Sequence, residues 1–184
     1  MKCKLTQSIT KENCNYSVAG VKSIYLINLD SANKYTFDDT EASDTKGAIA
    51  TIELPAGEKA FRVDFIDNTA SFTDDLAVNG NGGKCRTHTV NFTIDNYTYE
   101  VLNTGDALSL GKFTAVVVDK NGKGIVLGRM NGLNATSFNY ASGAAEADAT
   151  GWTVVMAGTE IEMAKPIKSE SVITSISDAT TVEP

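Results

Sequence analysis

Apolar and polar positions alternate along most of the chain with a period of two, the spacing that turns successive side chains to opposite faces of a strand. The clearest instance is KAFRVDFI at 59–66, where Phe61, Val63 and Phe65 share one face and Arg62 and Asp64 the other. KSIYLINL at 22–29, AIATIEL at 48–54 and GWTVVMA at 151–157 are rich in β-branched and aromatic residues and predict further strands. KCRTHTVNFTI at 84–94 predicts a long one, with Cys85, Thr87 and Thr89 opposed to Arg86, His88 and Val90. Residues 71–78, 113–118, 124–127 and 136–140 complete the set, and SVITSIS at 171–177 is expected to add an edge strand.

Turn signals punctuate these runs, among them PAGE at 55–58 and NGNGG at 79–83. One helix is predicted, over 95–110, from the near-helical spacing of Tyr97, Val101 and Leu108, with Asp95 or Asn96 as its cap and Gly105 as a weak point. The polar, acidic stretch 30–47 reads as a long loop or excursion in which only Tyr35 and Phe37 can act as anchors. Many short strands and one helix make the chain mainly β (α+β), an antiparallel β-sandwich or barrel with one flanking helix. The expected organisation is a polar arm over 1–15, a single β-sandwich domain over 16–164 and a tail over 165–184, with no internal repeat.

Length and charge narrow the class. A chain of 184 residues suits one domain. Sixteen Lys and Arg against 23 Asp and Glu give a net charge of −7, so no surface is obliged to grip nucleic acid through its phosphates. No apolar run approaches the roughly 20 residues that cross a bilayer, and MKCKLTQSITKENC lacks an apolar h-region, so the expectation is a soluble protein without a membrane anchor or Sec-type signal. Three cysteines, no C-x-x-C pair and one histidine argue against a disulfide framework and against a structural zinc site.

Candidate chemistry then fails point by point. NGNGGKC has Val78 where a phosphate loop needs its first glycine and Cys85 where it needs Ser or Thr, and it joins two strands. Cys85 and His88 fall on opposite faces of their strand, which leaves the histidine as a surface or sheet-face residue. Asp38, Asp39, Glu41 and Asp44, and again Asp74 and Asp75, read as solvated carboxylates. DKNGKG at 119–124 lacks the ligands and flanking helices of a calcium loop. Its Asn121-Gly122 pair instead predicts a type I′ hairpin turn. No catalytic residue, metal site or cofactor is expected, and the chain is not expected to be an enzyme.

The strand VVVD, the NGK turn, a strand ending in LG, NGL at 131–133, SGAA…D at 142–148 and GWTVVMAGTE at 151–160 together resemble phage tail-tube-like virion structural proteins. NYSVAGVKSIYLINL at 15–29 and NTASFTDDL at 68–76 fit the same pattern, which comes closest to phages infecting Bacteroidetes, including the crAss-like group. The resemblance implies a tail-tube-like sandwich of the virion tail or portal-proximal neck, synthesised in the bacterial host cytoplasm. It implies a homo-oligomeric ring of about six or twelve copies, joined by sheet edges and contacting neighbouring virion proteins. DNA would pass during ejection without specific binding, along a lumen lined by carboxylates. The candidate assembly residues are Lys4, Leu5, Tyr35, Phe37, Asp38 and Asp39. The competing expectation is a binding module, a capsid decoration protein or a carbohydrate-binding β-sandwich, for which exposed aromatics on one sheet face would be the mark. The single Trp152 lies in an alternating strand where burial is expected.

Overall fold

The computed structural model describes residues 9, 16–40, 45–95 and 97–178. In chain order its elements are β1 (Val21–Asn28), β2 (Lys34–Phe37), β3 (Ile49–Glu53), β4 (Phe61–Val63), β5 (Ser71–Val78), β6 (Lys84–Ile94), α1 (Tyr99–Leu110), β7 (Phe113–Asp119), β8 (Gly124–Leu127), β9 (Asn134–Ala141), β10 (Gly151–Glu160), β11 (Lys165–Pro166) and α2 (Ser171–Thr174). Two antiparallel sheets form a sandwich: one of five strands in the order β11-β8-β7-β1-β4, and one of four in the order β5-β6-β10-β9. A separate ribbon pairs β2 with β3.

The five-stranded sheet is covered on both faces, which explains its sequence. Ile24 and Leu26 of β1, with Ala115 and Val117 of β7, meet Val90, Phe92, Val154 and Met156 of the opposite sheet. The alternate residues Tyr25, Ile27, Val116 and Val118 pack against Ile49, Ile52, Ile167 and Ile173 on the other side. A strand buried on both faces reads as a continuous apolar run, as FTAVVV does. The four-stranded sheet buries one face only and keeps a clean alternation, with His88, Val90 and Phe92 inward.

Four expectations are corrected. Segment 30–47 is not all loop: Lys34–Phe37 is a strand, because Tyr35 opposite Ile52 and Phe37 opposite Ile49 can bury their rings against the second core. The tail is not separate: Ile167 and Ile173 belong to that core. SVITSIS contributes a short helix, α2, since Val172, Ile173 and Ile176 at helical spacing all reach the same cluster. The chain then runs along β4, with Ala60 donating to the Ile176 carbonyl at 2.9 Å. The run 59–66 keeps only three strand residues, because the chain crosses to the other sheet, where the Ile66 N–H donates to the Thr93 carbonyl at 2.8 Å. Val63 and Phe65 pack on the core, and Phe61 is left half-exposed.

Helix α1 begins later than its sequence pattern predicts. Thr98 is the cap, accepting from the Val101 N–H at 3.3 Å, while Asp95 precedes the helix and Asn96 lies outside the described residues. Gly105 has a packing reason to be there. A Cβ at that position would stand 3.2 Å from the Phe138 ring, so the glycine lets the helix settle on β9.

The DKNGKG tip joins β7 to β8 as predicted, with a different turn. Gly122 donates to the Asp119 carbonyl at 3.0 Å and Asp119 donates to the Lys123 carbonyl at 2.9 Å. Gly122 has φ +80°, whereas Asn121 keeps a negative φ. This is a type I turn followed by a glycine bulge, the three-residue hairpin loop. The Asn121 side chain instead ties down the chain ahead of β1, accepting from the Val18 N–H at 3.0 Å and donating to the Val18 carbonyl at 2.9 Å. NGNGG repeats the loop, with Gly82 at φ +77°.

Candidate functional site

The densest polar arrangement lies between the sheets at one end of the sandwich. Register places Asp74 of β5 opposite His88 of β6, and Glu160 of β10 opposite Arg86. All four side chains therefore point inward. Arg86 Nε donates to Asp74 Oδ1 at 2.7 Å and its terminal nitrogen donates to the Asp74 carbonyl at 2.6 Å. Asp74 Oδ2 accepts from the Ala164 N–H at 3.0 Å. Burial opposes ionisation of Asp74, but the Arg86 and Ala164 hydrogen bonds and the Arg86 charge outweigh it and hold the carboxyl below its usual range.

His88 is buried, and both its nitrogens face protein. Nδ1 accepts from the Gly128 N–H at 3.1 Å, while Nε2 lies 3.3 Å from Asp74 Oδ1. An accepting Nδ1 assigns the ring proton to Nε2. The histidine is thus an inward-facing strut, which corrects the surface option, and its accepting lone pair is already used. Cys85 lies on the opposite face as alternation predicts. Asp74 is likewise no solvated carboxylate.

Glu160 is fully buried, and its Oε1 accepts from the N–H groups of Met130 (3.2 Å) and Asn131 (2.8 Å). Its Oε2 has no partner among the described residues. His88 and Glu160 therefore hold the same piece of chain, the GRMNG turn at 128–132. Gly158 completes the seat, since any Cβ there would collide with the Gly132 carbonyl. Chemically, this arrangement positions backbone and presents no nucleophile.

From that turn Arg129 reaches the ribbon. Its guanidinium pairs with both oxygens of Glu162, at 2.6 and 2.9 Å, and lies 5.5 Å from the Tyr35 ring centre and 5.3 Å from that of Phe37. Burial raises the Tyr35 hydroxyl above its ordinary pKa, against the opposing contribution of Thr114, whose hydroxyl stands 3.5 Å away. Tyr35 and Phe37 are brought together here as half-buried anchors. Asp38 follows them and is buried too: Oδ2 accepts from the Thr45 hydroxyl at 2.7 Å and Oδ1 from the Thr40 N–H at 3.1 Å, with Lys168 Nζ at 3.1 Å. Asp39 is exposed beside it, while Lys4 and Leu5 lie outside the described residues.

The Thr45 and Thr40 hydrogen bonds, then Lys168, hold Asp38 well below the ordinary carboxylate pKa. A depressed folded-state pKa contributes stability above the unfolded value of about 4, and that stability is lost as pH falls through the folded value. Asp38→Asn is therefore expected to unfold at lower urea concentration than the parent at pH 7. The gap should narrow steadily below about pH 4. A gap independent of pH would assign the effect to something other than the carboxylate's charge.

At the opposite end of the sandwich, Tyr97, Phe138, Tyr140 and Trp152 form an aromatic corner. The Trp152 ring is stacked on Phe138 (4.6 Å) and on Tyr97 (5.4 Å), and Tyr140 lies 5.1 Å away. Sequence reasoning missed this group because its members come from three segments. Trp152 is only half-buried, and its side chain lies on the inner face of the four-stranded sheet, beside Val154.

The sheets differ at their edges. The five-stranded sheet ends in strands of two and three residues, β11 and β4. The four-stranded sheet ends in β5 and β9, each of eight residues and each paired on one side only among the described residues. Its outward face, set by the registers, carries Ser71, Thr73, Thr87, Thr89, Asn91 and Thr153 among others, and Asp75 is its one charged side chain.

By fold the chain is an antiparallel β-sandwich with a flanking helix. No protein-family model matches it, and a search among curated proteins finds no match.

Proposed function

We propose that the chain is a structural virion protein of a bacteriophage tail or neck, assembling into a ring or tube that forms part of the conduit for DNA ejection. The observation that carries this reading is the pair of long edge strands, β5 and β9, on one four-stranded antiparallel sheet, each paired on one side only among the described residues. An even number of alternating strands makes β5 and β9 antiparallel to each other. When copies are arranged head to tail around an axis, β9 of one meets β5 of the next in antiparallel orientation, and the sheet continues without a break. Unpaired edges of this length need to be covered or used.

The reading also revises the lumen. If the outward face of this sheet lines the channel, DNA meets hydroxyl and amide groups with one carboxylate, Asp75, from each copy. A face free of Lys and Arg gives the phosphates no counter-charge to exchange for, so the duplex slides. Against an enzyme stands the burial of His88, the chain's one histidine, whose Nδ1 already accepts from the Gly128 N–H. No helix among the described residues is long and apolar enough to cross a membrane.

Electron microscopy of the purified full chain is expected to reveal rings or tubes with a central channel. A protein that stays monomeric alone and with its neighbours, and is absent from purified virions, would overturn the reading. The aromatic corner favours the second reading, a carbohydrate-binding or decoration module, because Tyr97 and Tyr140 keep exposed ring surface. Glycan-array binding by an isolated monomer would decide for it.

A further inference from the structure

The neutral and charged forms of His88 call for different partners, and the structure holds a partner for each. In the neutral form Nδ1 accepts from the Gly128 N–H at 3.1 Å. The same form leaves Nε2 underused, since it stands 3.3 Å from Asp74 Oδ1 without a directed hydrogen bond. A second proton reverses these roles, because an imidazolium carries N–H on both nitrogens and accepts at neither. Nδ1–H then faces the Gly128 N–H, donor against donor, while Nε2–H faces a carboxylate of opposite charge. A proton therefore binds the arrangement without the Gly128 bond better than the one with it, which is what a switch requires.

The charges around the ring are set for this exchange. Asp74 of β5 is kept ionised by the Arg86 guanidinium and the Ala164 N–H. Glu160 of β10 is fully buried on the same turn, with Oε2 unpartnered among the described residues. The cations are already paired: Arg86, on the histidine's own strand, with Asp74, and Arg129, on the turn, with Glu162. The facing sheet contributes apolar side chains, Ala115, Val117 and Leu127. What gives way is one backbone bond. The Gly128 carbonyl stays on the Thr114 hydroxyl at 3.1 Å, and the Met130 and Asn131 N–H groups stay on Glu160. Gly128, at φ +68°, has the conformational freedom to turn its amide away. Arg129 follows it directly and lies over Tyr35 and Phe37, so the loosening passes to the β2–β3 ribbon.

We propose that His88 is a proton-operated latch: neutral, it holds the Gly128 end of the 128–132 turn, and charged, it turns to Asp74 and releases that end. The latch acts within one chain and stands apart from the assembly reading. The test uses the untagged full chain, whose one histidine gives a single site when that residue type is labelled with nitrogen-15. From about pH 8 to about pH 5, the range in which histidine changes charge, the imidazole should pass from the Nε2–H form to the doubly protonated form. With the same midpoint, protection of the Gly128 amide against hydrogen exchange, corrected for the intrinsic effect of pH, should fall by about tenfold, the worth of one hydrogen bond. The Val117 amide should keep its protection. In His88→Asn the side-chain oxygen takes the place of Nδ1 and does not titrate, so Gly128 protection should be level across the range. An imidazole that charges with no change at Gly128 overturns the latch. So does a Gly128 release that persists in His88→Asn, or an imidazole that stays neutral until Val117 loses protection with the rest of the fold. Should His88→Asn fail to fold, the two midpoints in the parent decide, and a mismatch between them overturns the latch.

Discussion

Truncating Phe92 to alanine is expected to destabilise the fold by about 3–5 kcal/mol. The side chain is 1% exposed, lies on the inner face of β6 opposite Val154, and fills the space between the sheets. Its neighbours Ile24, Leu26, Val117 and Met156 come from β1, β7 and β10, which are fixed by their own ladders and cannot collapse into the void. Most of the lost contact area therefore stays lost. Against a total of about 5–15 kcal/mol for a domain, one such cavity is a large fraction. Urea denaturation should show an earlier midpoint with little change in slope, since the surface exposed on unfolding is nearly the same. An unchanged midpoint would mean that the two sheets do not share a single core.

Strands are legible wherever one face is wet, because alternation is a local property of the sequence. Residues 84–94 show the two opposed faces in the sequence, and the structure makes His88, Val90 and Phe92 the buried positions. The errors fall where a distant contact decides. Nothing local in KAFRVDFI says that the chain will leave β4 after Val63 to bond Thr93 on the other sheet. SVITSIS has β-branched residues that favour a strand, yet the buried seat of Ile173 settles it as a helix. The positions of the hairpin turns are legible, but the conformation of the Asn121-Gly122 pair is not. The Val18 backbone makes two hydrogen bonds with the Asn121 side chain from 103 positions away.

The polar network is less legible still. Its members, Asp74, Arg86, His88 and Glu160, are scattered over 87 positions from first to last, and only the β5-β6-β10 register brings them together. One signal is available. Arg86 and His88 share the inward face of a strand that continues with Val90, Phe92 and Ile94, so each needs a buried partner. Tyr35 and Phe37 stand out as assembly candidates from their isolation in an acidic stretch; their contact with Arg129 depends on a turn nearly a hundred residues later.

That turn carries the second large effect. Replacing Glu160 by alanine is expected to cost about 2–4 kcal/mol, because the N–H groups of Met130 and Asn131 lose their acceptor and a hole opens beneath them. Partial access of water from the exposed side of Met130 keeps the figure below that of two fully orphaned donors. Glu160→Gln separates the two roles of the carboxylate. The glutamine carbonyl can still accept both N–H groups, so a loss of less than about 1 kcal/mol would assign the residue to hydrogen bonding. A loss equal to that of alanine would assign it to the carboxylate's charge. Hydrogen exchange adds a local readout: in Glu160→Ala the Met130 and Asn131 amides should exchange faster than the Val90 or Val117 amides do, relative to the parent. The loosening should spread to the β2–β3 ribbon, since Arg129 leaves the same turn to lie over Tyr35 and Phe37. Unchanged stability with unchanged protection at both amides would show that the turn is held by His88 and the Gly158–Gly132 contact alone.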